Sequence, residues 1–455
     1  MVCSLYPGSR YDCWKNNPVH EYRCRPYLGS LMSRNRFDKI LASLVFSSEN
    51  RPYRDRFLCV RQLISAWNEN MAAAFTPSWL VCIDESMVPW TSEYTAPGWV
   101  SLPRKPHPLG NEYHTIACAE TNIIFRVEIV EGRDHPPELA VEYSELGKTP
   151  GLVLRMTKSI HGTGRVVVMD SGFGVLQGLI ELLKVGLYSS AVVKKKRYWP
   201  KHIKGDSIDE HMSAQEIGSS DALVGRLDDK QFYVYATRDS RFICKLMATY
   251  GTLLPAGPEK RRQTGEGRLV TFRYNTVTSN YYKARGAVDT HNNVRQGSMS
   301  FEAAFASKDW ANRQFAYLIA SSEINALLAY NRYVRKPVGL GSLSVMEFRE
   351  ILAKQLIYNH DLDVQPEGIA SEDSPSSAVV KRRRCAAQHQ LVRPPNKTGS
   401  WHGSWKSVAT DYLQRRCSGE NCTERVRKYC VCDKTRFWCT NCFAVHFAEE
   451  SEQSP

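Results

Sequence analysis

The sequence predicts an α/β protein, with a mixed sheet flanked by helices and a small zinc-binding module at its C-terminal end. Two patterns carry this prediction. Residues 165–193 show a continuous apolar run, then leucines at helical spacing, then a second short apolar run, which is typical of a strand-helix-strand crossover. Six of the 14 cysteines lie between Cys417 and Cys442, and the other eight are scattered singly over the preceding chain.

Size and charge restrict the class of protein. The 455 residues suffice for one substantial core and a smaller attached module. Sixty Lys and Arg against 47 Asp and Glu leave a net charge of +13, which favours a polyanionic partner, with nucleic acid as the first candidate. No stretch has the ~20 apolar residues that a membrane span needs, so we expect no membrane partner. Scattered single cysteines are typical of a reducing compartment, and Pro7 and Arg10 interrupt any apolar signal segment.

Three segments ahead of the crossover predict further strands. Residues 81–88 read as a short strand, and residues 113–120 and 123–130 read as two strands joined by a tight hairpin at Thr121 and Asn122. These strands begin the predicted sheet.

The later part of the large region reads differently. A long apolar helix is predicted from Trp310 to Leu328, and Ser344 with Glu347 predicts the capped start of another helix. Residues 200–270 fit neither the strand nor the helix pattern, so we expect an insertion there that interrupts the fold.

Changes in composition divide the chain. The predicted parts are an N-terminal helical and DNA-binding region (1–79), a first part of the core (80–199), the insertion (200–270), a mainly helical second part of the core (271–360), a basic Ser- and Pro-containing linker (361–400) and a cysteine-rich zinc finger (401–455).

Two aspartates lie where a carboxylate is costly. Asp84 falls inside a predicted buried strand, and Asp170 ends the apolar run 166–169. A buried acid needs a positive partner. Two strand carboxylates and a third from a helix start would form an oxygen-rich pocket that suits Mg²⁺, and two such ions roughly 3.5 to 4 Å apart serve phosphodiester chemistry. The alternative is that both are ordinary strand-end acids that cap turns or pair with arginine, and spacing alone favours this alternative.

Three short sequence blocks, which occur in a fixed order along the chain, favour the metal site over ordinary strand-end acids. They are residues 83–89 (IDESMVP), residues 168–173 (VMDSGF) and residues 286–290 (GAVDT). In content and order they resemble the catalytic blocks of the piggyBac transposase family. The resemblance runs from about Tyr27 to Tyr333 and returns in the tail.

This resemblance implies an RNase H-like catalytic core interrupted by an insertion. It implies that Asp84, Asp170 and Asp289 are catalytic and bind Mg²⁺ or Mn²⁺, cleave double-stranded DNA at transposon ends and join these ends at TTAA targets. A homodimer is a further expectation. Two positions depart from the family pattern: Asn292 stands where a further acid is common, and Ser171 where the second block usually has Asn.

The tail supplies seven soft ligands at close spacing, and Zn²⁺ takes four of them tetrahedrally. Aromatic residues interleave these ligands, as a small zinc-pinned core requires. One zinc site is predicted, and a second would need an eighth ligand, for which Cys385, His389 and His402 are candidates. The module resembles the cysteine-rich finger of piggyBac-like proteins, which implies recognition of transposon-end DNA. The seven predicted ligands are Cys417, Cys422, Cys430, Cys432, Cys439, Cys442 and His446.

Two basic runs suggest contacts with nucleic acid or a nuclear address. Lys194, Lys195, Lys196 and Arg197 follow a predicted strand near the carboxylates, where they either contact phosphate or are simply exposed. The run 381–384 in the linker is either a solvated segment or a nuclear import signal, and we expect a nuclear protein.

Three functions therefore remain open. The first is a metal-dependent DNA transposase or its direct descendant, favoured by the complete set Asp84, Asp170 and Asp289. The second is a weakened or inactive derivative that binds DNA or chromatin, favoured by Asn292. The third and weakest treats the tail as a RING- or PHD-like protein-interaction finger carried by the rest of the chain.

Overall fold

The chain forms two compact units, Met1–Asp363 and Val364–Pro455. The structure, a computed structural model, describes residues 10–15, 27–44, 46, 55–137, 139–193, 199, 203–264, 267–297, 300–305 and 307–358 of the first unit. In the second unit it describes residues 391–392, 415–418, 422–423, 425–426, 429–430, 433–437 and 439.

A mixed sheet of nine strands dominates the described part of the first unit. The strands are β1 (Leu80–Pro89), β2 (Trp99–Ser101), β3 (Leu109–Cys118), β4 (Ile124–Ile129), β5 (Val166–Met169), β6 (Tyr188–Val192), β7 (Ser220–Leu227), β8 (Lys230–Arg238) and β9 (Ile243–Ala248). Their order is β2-β3-β1-β5-β6-β9-β8-β7, and β4 pairs with β3. The pairs β1-β5 and β5-β6 are parallel, and the other pairs are antiparallel. The predicted mixed sheet flanked by helices is confirmed.

Ten α-helices accompany the sheet in the described residues. They are α1 (Arg34–Ala42), α2 (Leu58–Ala74), α3 (Lys148–Thr157), α4 (Leu176–Lys184), α5 (Gly205–Ser213), α6 (Thr276–Ala284), α7 (Ala287–Arg295), α8 (Phe301–Ala304), α9 (Trp310–Ala329) and α10 (Val345–Tyr358). The predicted crossover is therefore β5-α4-β6, and every residue of β5 is buried, as its uninterrupted apolar run requires.

The two faces of the sheet bury different sets of helices. On one face, Cys82 and Val168 share a core with apolar residues of α2, α6, α7 and α9. On the other face, Ile83 and Met169 share a core with residues of α3, α4 and α5. This division follows from the two-residue period of a strand, which sends successive side chains to opposite faces.

Local signals in the sequence are confirmed in detail. Asn122 has a φ of 58° in the turn that joins β3 to β4, a backbone conformation that asparagine adopts readily. Before α10, the Ser344 hydroxyl and backbone N–H both donate to the Glu347 carboxylate, and the Glu347 N–H donates to the Ser344 hydroxyl. This is the reciprocal cap that these two residues predict.

The segment 200–270, predicted as an insertion, contributes three strands to the same sheet. β9 pairs with β6, and β8 and β7 follow it outward. In the described residues this segment therefore extends the core sheet, because the free edge of β6 offers backbone groups that a further strand can pair with. Beyond these strands, β10 (Lys260–Gln263) and β11 (Leu269–Phe272) form a separate antiparallel hairpin.

Short strands are described in the second unit. They are β12 (Leu391–Val392), β13 (Arg415–Arg416), β14 (Arg425–Val426), β15 (Tyr429–Cys430) and β16 (Asp433–Phe437). β12, β15 and β16 form one sheet in that order, and β13 pairs with β14. Across the described residues of the chain, none of the helices has the length and apolar character of a membrane span.

Candidate active site

Asp84 and Asp170 lie on neighbouring parallel strands. Ile83 pairs with Met169 in the β1-β5 register, and the two aspartates are the next residues along each chain. Adjacent strands are about 4.8 Å apart. Asp84 is two residues beyond Cys82, and Asp170 is two residues beyond Val168, which belongs to the same core. Because alternate residues of a strand share one face of the sheet, both carboxylates are directed to the face that α6 and α7 cover.

Asp289 reaches this face from the first turn of α7, which packs against β1. The Ser86 hydroxyl donates to the Asn292 side-chain oxygen at 3.1 Å. Ser86 follows Asp84 by two residues on a strand, and Asn292 follows Asp289 by three on a helix, so each pair shares one face of its element. The hydrogen bond therefore sets Asp289 against Asp84.

The electrostatics agree with this placement. Burial raises the pKa of the Cys82 thiol well above its usual value, and Asp84, Asp170 and Asp289 all add to the increase. The pKa of Asp84 is raised to about 7. Burial is the main cause and the nearby Asp289 adds to the increase, while a hydrogen bond from the Glu85 backbone N–H opposes it. The three carboxylates thus share one electrostatic environment that is short of positive charge.

Two cations from the segment between β2 and β3 contact β1 next to Asp84. Arg104 donates to the Glu85 carboxylate at 2.8 Å, and Lys105 is 3.5 Å from the same oxygen. Lys105 also lowers the pKa of Asp84 through its charge. A Cβ on Gly172 would come within 3.3 Å of Glu85, so the loop after β5 passes close to this group. A lysine therefore stands beside the carboxylates.

A buried network behind α7 holds the helix in place. Arg295 is fully buried, pairs with the Glu302 carboxylate and lies over the Tyr317 ring, 4.7 Å from its centroid. Its guanidinium also donates to the Asn292 side-chain oxygen at 3.1 Å and to the Met87 carbonyl at 3.2 Å. These bonds join α7, β1 and α8, so the position of Asp289 depends on them.

The donor set of this site fits hard divalent cations. It consists of carboxylate oxygens, which Mg²⁺ and Mn²⁺ prefer, and the raised pKa of Asp84 marks negative charge that a dication would offset. The oxygens are not gathered at one point, because the cysteines of the tail are the one group of three or more ligands in the described residues whose donor atoms all lie within 4.8 Å of one another. An open arrangement suits two ions roughly 3.5 to 4 Å apart better than a single enclosed ion.

That compact group is the second candidate metal site. The sulfur atoms of Cys417, Cys422 and Cys439 lie within 4.8 Å of one another, and those of Cys422 and Cys439 are 3.9 Å apart. The Cys439 backbone N–H donates to the Cys417 sulfur at 3.3 Å. Thiolates about 2.3 Å from a tetrahedral Zn²⁺ would be separated by a similar sulfur-to-sulfur distance. The geometry and chemistry of this group fit zinc.

The structure describes few of the remaining predicted site residues. The backbone of Cys430 lies in β15. Cys432, Cys442 and His446, as well as the basic run Lys194, Lys195, Lys196 and Arg197, fall outside the described residues.

Sequence reasoning missed the groups that hold the carboxylates in place. Ser86 had a signal, because it follows Asp84 at the strand period of two. Arg295 had none, since a single arginine in a polar helix is usually exposed, and only the packed structure places it in the core.

The family model described as Transposase IS4 matches residues 1–327. Among solved structures, the fold is similar to that of piggyBac transposase in a synaptic complex with hairpin DNA, with a TM-score of 0.56 and 15% sequence identity over 97% of this chain and 86% of that chain. No curated protein matches this chain in sequence. At this identity, the structural likeness concerns the fold.

Proposed function

The chain belongs to the Transposase IS4 family, and from this premise we propose that its core cleaves transposon-end DNA and transfers the cut strand with Asp84, Asp170 and Asp289 as catalytic residues. One observation carries the proposal. Asp84 and Asp170 follow paired residues of two adjacent parallel strands, and the hydrogen bond between Ser86 and Asn292 holds α7, which carries Asp289, against the strand of Asp84.

Each carboxylate has a defined part in this function. Asp84 lies on β1, with its Oδ1 oriented by the Glu85 backbone N–H at 2.8 Å. Asp170 and Asp289 approach from the end of β5 and from α7. Together they would hold Mg²⁺ or Mn²⁺, which supplies activation of water or a hydroxyl and stabilisation of the leaving oxygen in phosphodiester chemistry. Lys105 stands where it can balance charge or contact a phosphate.

The partner that we propose is double-stranded DNA at transposon ends, with TTAA as the target. The net charge of +13 supports a polyanion, and the structurally similar piggyBac transposase is described in complex with hairpin DNA. We further propose a homodimer and a nuclear location. The basic run 381–384 supports the nuclear location and lies outside the described residues.

For the second unit we propose a zinc finger that recognises the transposon ends. Cys417, Cys422 and Cys439 supply three ligands of one zinc, and Cys442, three residues after Cys439 in the C-x-x-C arrangement, is the proposed fourth. Cys430, Cys432 and His446 are proposed for a second zinc.

A second candidate function has its own observation. Asn292, where the family commonly has a further acid, already accepts hydrogen bonds from Ser86 and Arg295 through its side-chain oxygen. That oxygen is therefore engaged in holding α7 against β1 and contributes no charge to a metal site. This favours a derivative in which the carboxylates bind metal weakly and DNA binding is the function that remains.

Strand cleavage separates the two candidates. Full-length protein is incubated with candidate end DNA and Mg²⁺ or Mn²⁺, and nicking and joining to a TTAA-containing target are followed on denaturing gels. Cleavage by the wild type that Asp84→Asn removes supports the transposase. If wild type and Asn292→Asp bind end DNA but are both inert with every metal, the transposase proposal fails and the DNA-binding derivative stands.

A further inference from the structure

A group of cations surrounds one tyrosine ring near the carboxylates. Lys260, Arg262 and Arg285 lie 5.7, 5.7 and 4.8 Å from the centroid of Tyr282. The Tyr274 ring packs in a tilted arrangement beside Tyr282, with centroids 5.0 Å apart. Lys260 and Arg262 also lie over the Tyr274 ring. These five residues form the tyrosine-cation cluster.

Two separate elements build this cluster. In the β10-β11 hairpin, Lys260 pairs with Phe272, and Arg262 follows Lys260 by two residues along β10. Both cations are therefore on the same face of the hairpin. Tyr282 and Arg285 come from the end of α6. The hairpin thus brings two positive charges to a helix end that already carries one.

The charge of the cluster is only partly balanced. Arg262 donates to the nearly buried Asp239 carboxylate at 3.1 Å. Neither Lys260 nor Arg285 forms an ion pair with an acid of the described residues, and both side chains are exposed. Cation-π contacts contribute about 0.5 to 1 kcal/mol each at exposed sites, so they hold the cations in place without neutralising them. An anion would be stabilised here.

The cluster is continuous with the carboxylate site. Arg285 precedes Asp289 by four residues, at the junction of α6 and α7. α6 packs against β1 and β5, the strands that lead to Asp84 and Asp170. Burial raises the pKa of the Tyr281 phenol most, a hydrogen bond with Arg285 lowers it, and the Asp170 charge raises it. A polyanion that extends from the carboxylates along α6 would meet the cations within the length of one helix.

We infer that the tyrosine-cation cluster binds a backbone phosphate of the DNA strand that enters the carboxylate site. This inference rests on the proposed function and adds to it a contact that positions DNA without reading its sequence. Its chemistry fits phosphate, since guanidinium and ammonium groups donate to phosphate oxygens without reference to the base. The tyrosines hold the cations in position.

The test measures DNA binding without divalent metal, so it does not depend on cleavage. Full-length wild type and the double variant Lys260→Gln with Arg285→Gln are titrated against a fluorescent duplex by anisotropy at increasing salt. Because each phosphate contact contributes about 0.9 to the slope of log K against log salt, loss of this one contact should lower the magnitude of the slope by about 1 and the affinity by about tenfold. The loss should be equal for end DNA and for unrelated DNA.

The matched control removes the same two charges elsewhere. Arg226→Gln with Lys230→Gln neutralises one exposed arginine and one exposed lysine on the β7-β8 hairpin, and it should leave the slope unchanged. Tyr282→Leu should weaken binding, whereas Tyr282→Phe, which keeps the ring, should not. Thermal melts confirm that each variant is folded.

The outcomes distinguish this inference from the function that it rests on. Equal losses in the cluster variant and the control, or no loss in either, overturn the inference, even if the wild type cleaves DNA. A selective loss of slope in the cluster variant supports the inference, even if no cleavage is found.

Discussion

The two candidate metal sites of this chain are assembled in opposite ways. The carboxylate site takes Asp84, Asp170 and Asp289 from two strands and a helix that are far apart in sequence. The cysteine site takes Cys417, Cys422 and Cys439 from one short stretch of the tail. The first is positioned by sheet register and helix packing, and the second by local spacing.

This difference predicts whether each site needs its metal for folding or only for chemistry. Around the carboxylates, the core buries residues on both faces of a nine-stranded sheet, so we expect it to fold without an ion. A small cysteine-rich module has too little apolar surface to fold without its metal. Metal should therefore be a requirement for folding in the tail and for chemistry alone in the core.

The largest expected effect is the loss of zinc from the tail. Because structural zinc contributes about 10 kcal/mol or more to folding of such modules, chelation or Cys439→Ser should unfold the tail and leave the melting transition of the core unchanged. Elemental analysis should find one or two zincs in the wild type. Cys24→Ser is the matched control, since no other cysteine lies within ten residues of it. A zinc-free tail that keeps full binding to end DNA would contradict the comparison.

The next effect is on catalysis. Asp84→Asn should lower cleavage by at least about 10³-fold, because it removes one of the three proposed metal ligands. The metal-free core should be as stable as the wild type or more stable, since burial raises the pKa of Asp84 to about 7 and its ionisation is unfavourable in the folded protein. Glu93→Gln, at an exposed position beyond the end of β1, is the control and should keep most activity. Unfolding of Asp84→Asn would instead assign this carboxylate a structural part.

Acid should affect the core through His114. Burial lowers the pKa of this imidazole to about 4, and Lys148 and Arg155 contribute to the decrease. The unfolded chain, with an ordinary pKa near 6.5, binds the proton more readily, so stability is complete above that value and is lost as the pH falls toward 4. The loss should reach about 2 kcal/mol by about pH 5.

The measurement is the free energy of unfolding of the core at two pH values. His114→Phe keeps the ring contact with Phe173 and should flatten the pH dependence. The exposed His107, replaced in the same way, should leave it unchanged. An identical pH profile in wild type and His114→Phe would show that other groups control the acid response.

The smallest effect concerns Asn292. In Asn292→Asp, the new carboxylate can accept the same hydrogen bonds from Ser86 and Arg295 and adds negative charge one helical turn from Asp289. We expect Mn²⁺ to bind more tightly by about 1 kcal/mol, or roughly fivefold. Calorimetric titration with Mn²⁺ measures this change, and unchanged or weaker binding would show that the position serves only to hold α7 on β1.

Much of the fold around the candidate active site could be predicted from residue patterns. The strands around Asp84 and Asp170, the β3-β4 hairpin, the crossover through α4 and the cap at Ser344 all depend on neighbours within a few residues. Cysteine spacing likewise predicted a zinc site, because zinc ligands in such modules are close in sequence. The order of three short blocks indicated the transposase family, which the match over residues 1–327 confirms.

The tertiary structure decided what those patterns leave open. Whether residues 200–270 stand apart or extend the sheet depends on which strand pairs with β6, and pairing between distant strands leaves no local signal. The burial of Arg295 depends on Glu302 and Tyr317 meeting it from other helices. The tyrosine-cation cluster likewise exists only because a hairpin folds against the end of α6. Outside residues 200–270, the sequence by itself determined most element types in the large region, and it determined the ligand chemistry of both candidate metal sites. Packing decided which distant charges meet, because electrostatic contacts depend on distance in space and not along the chain.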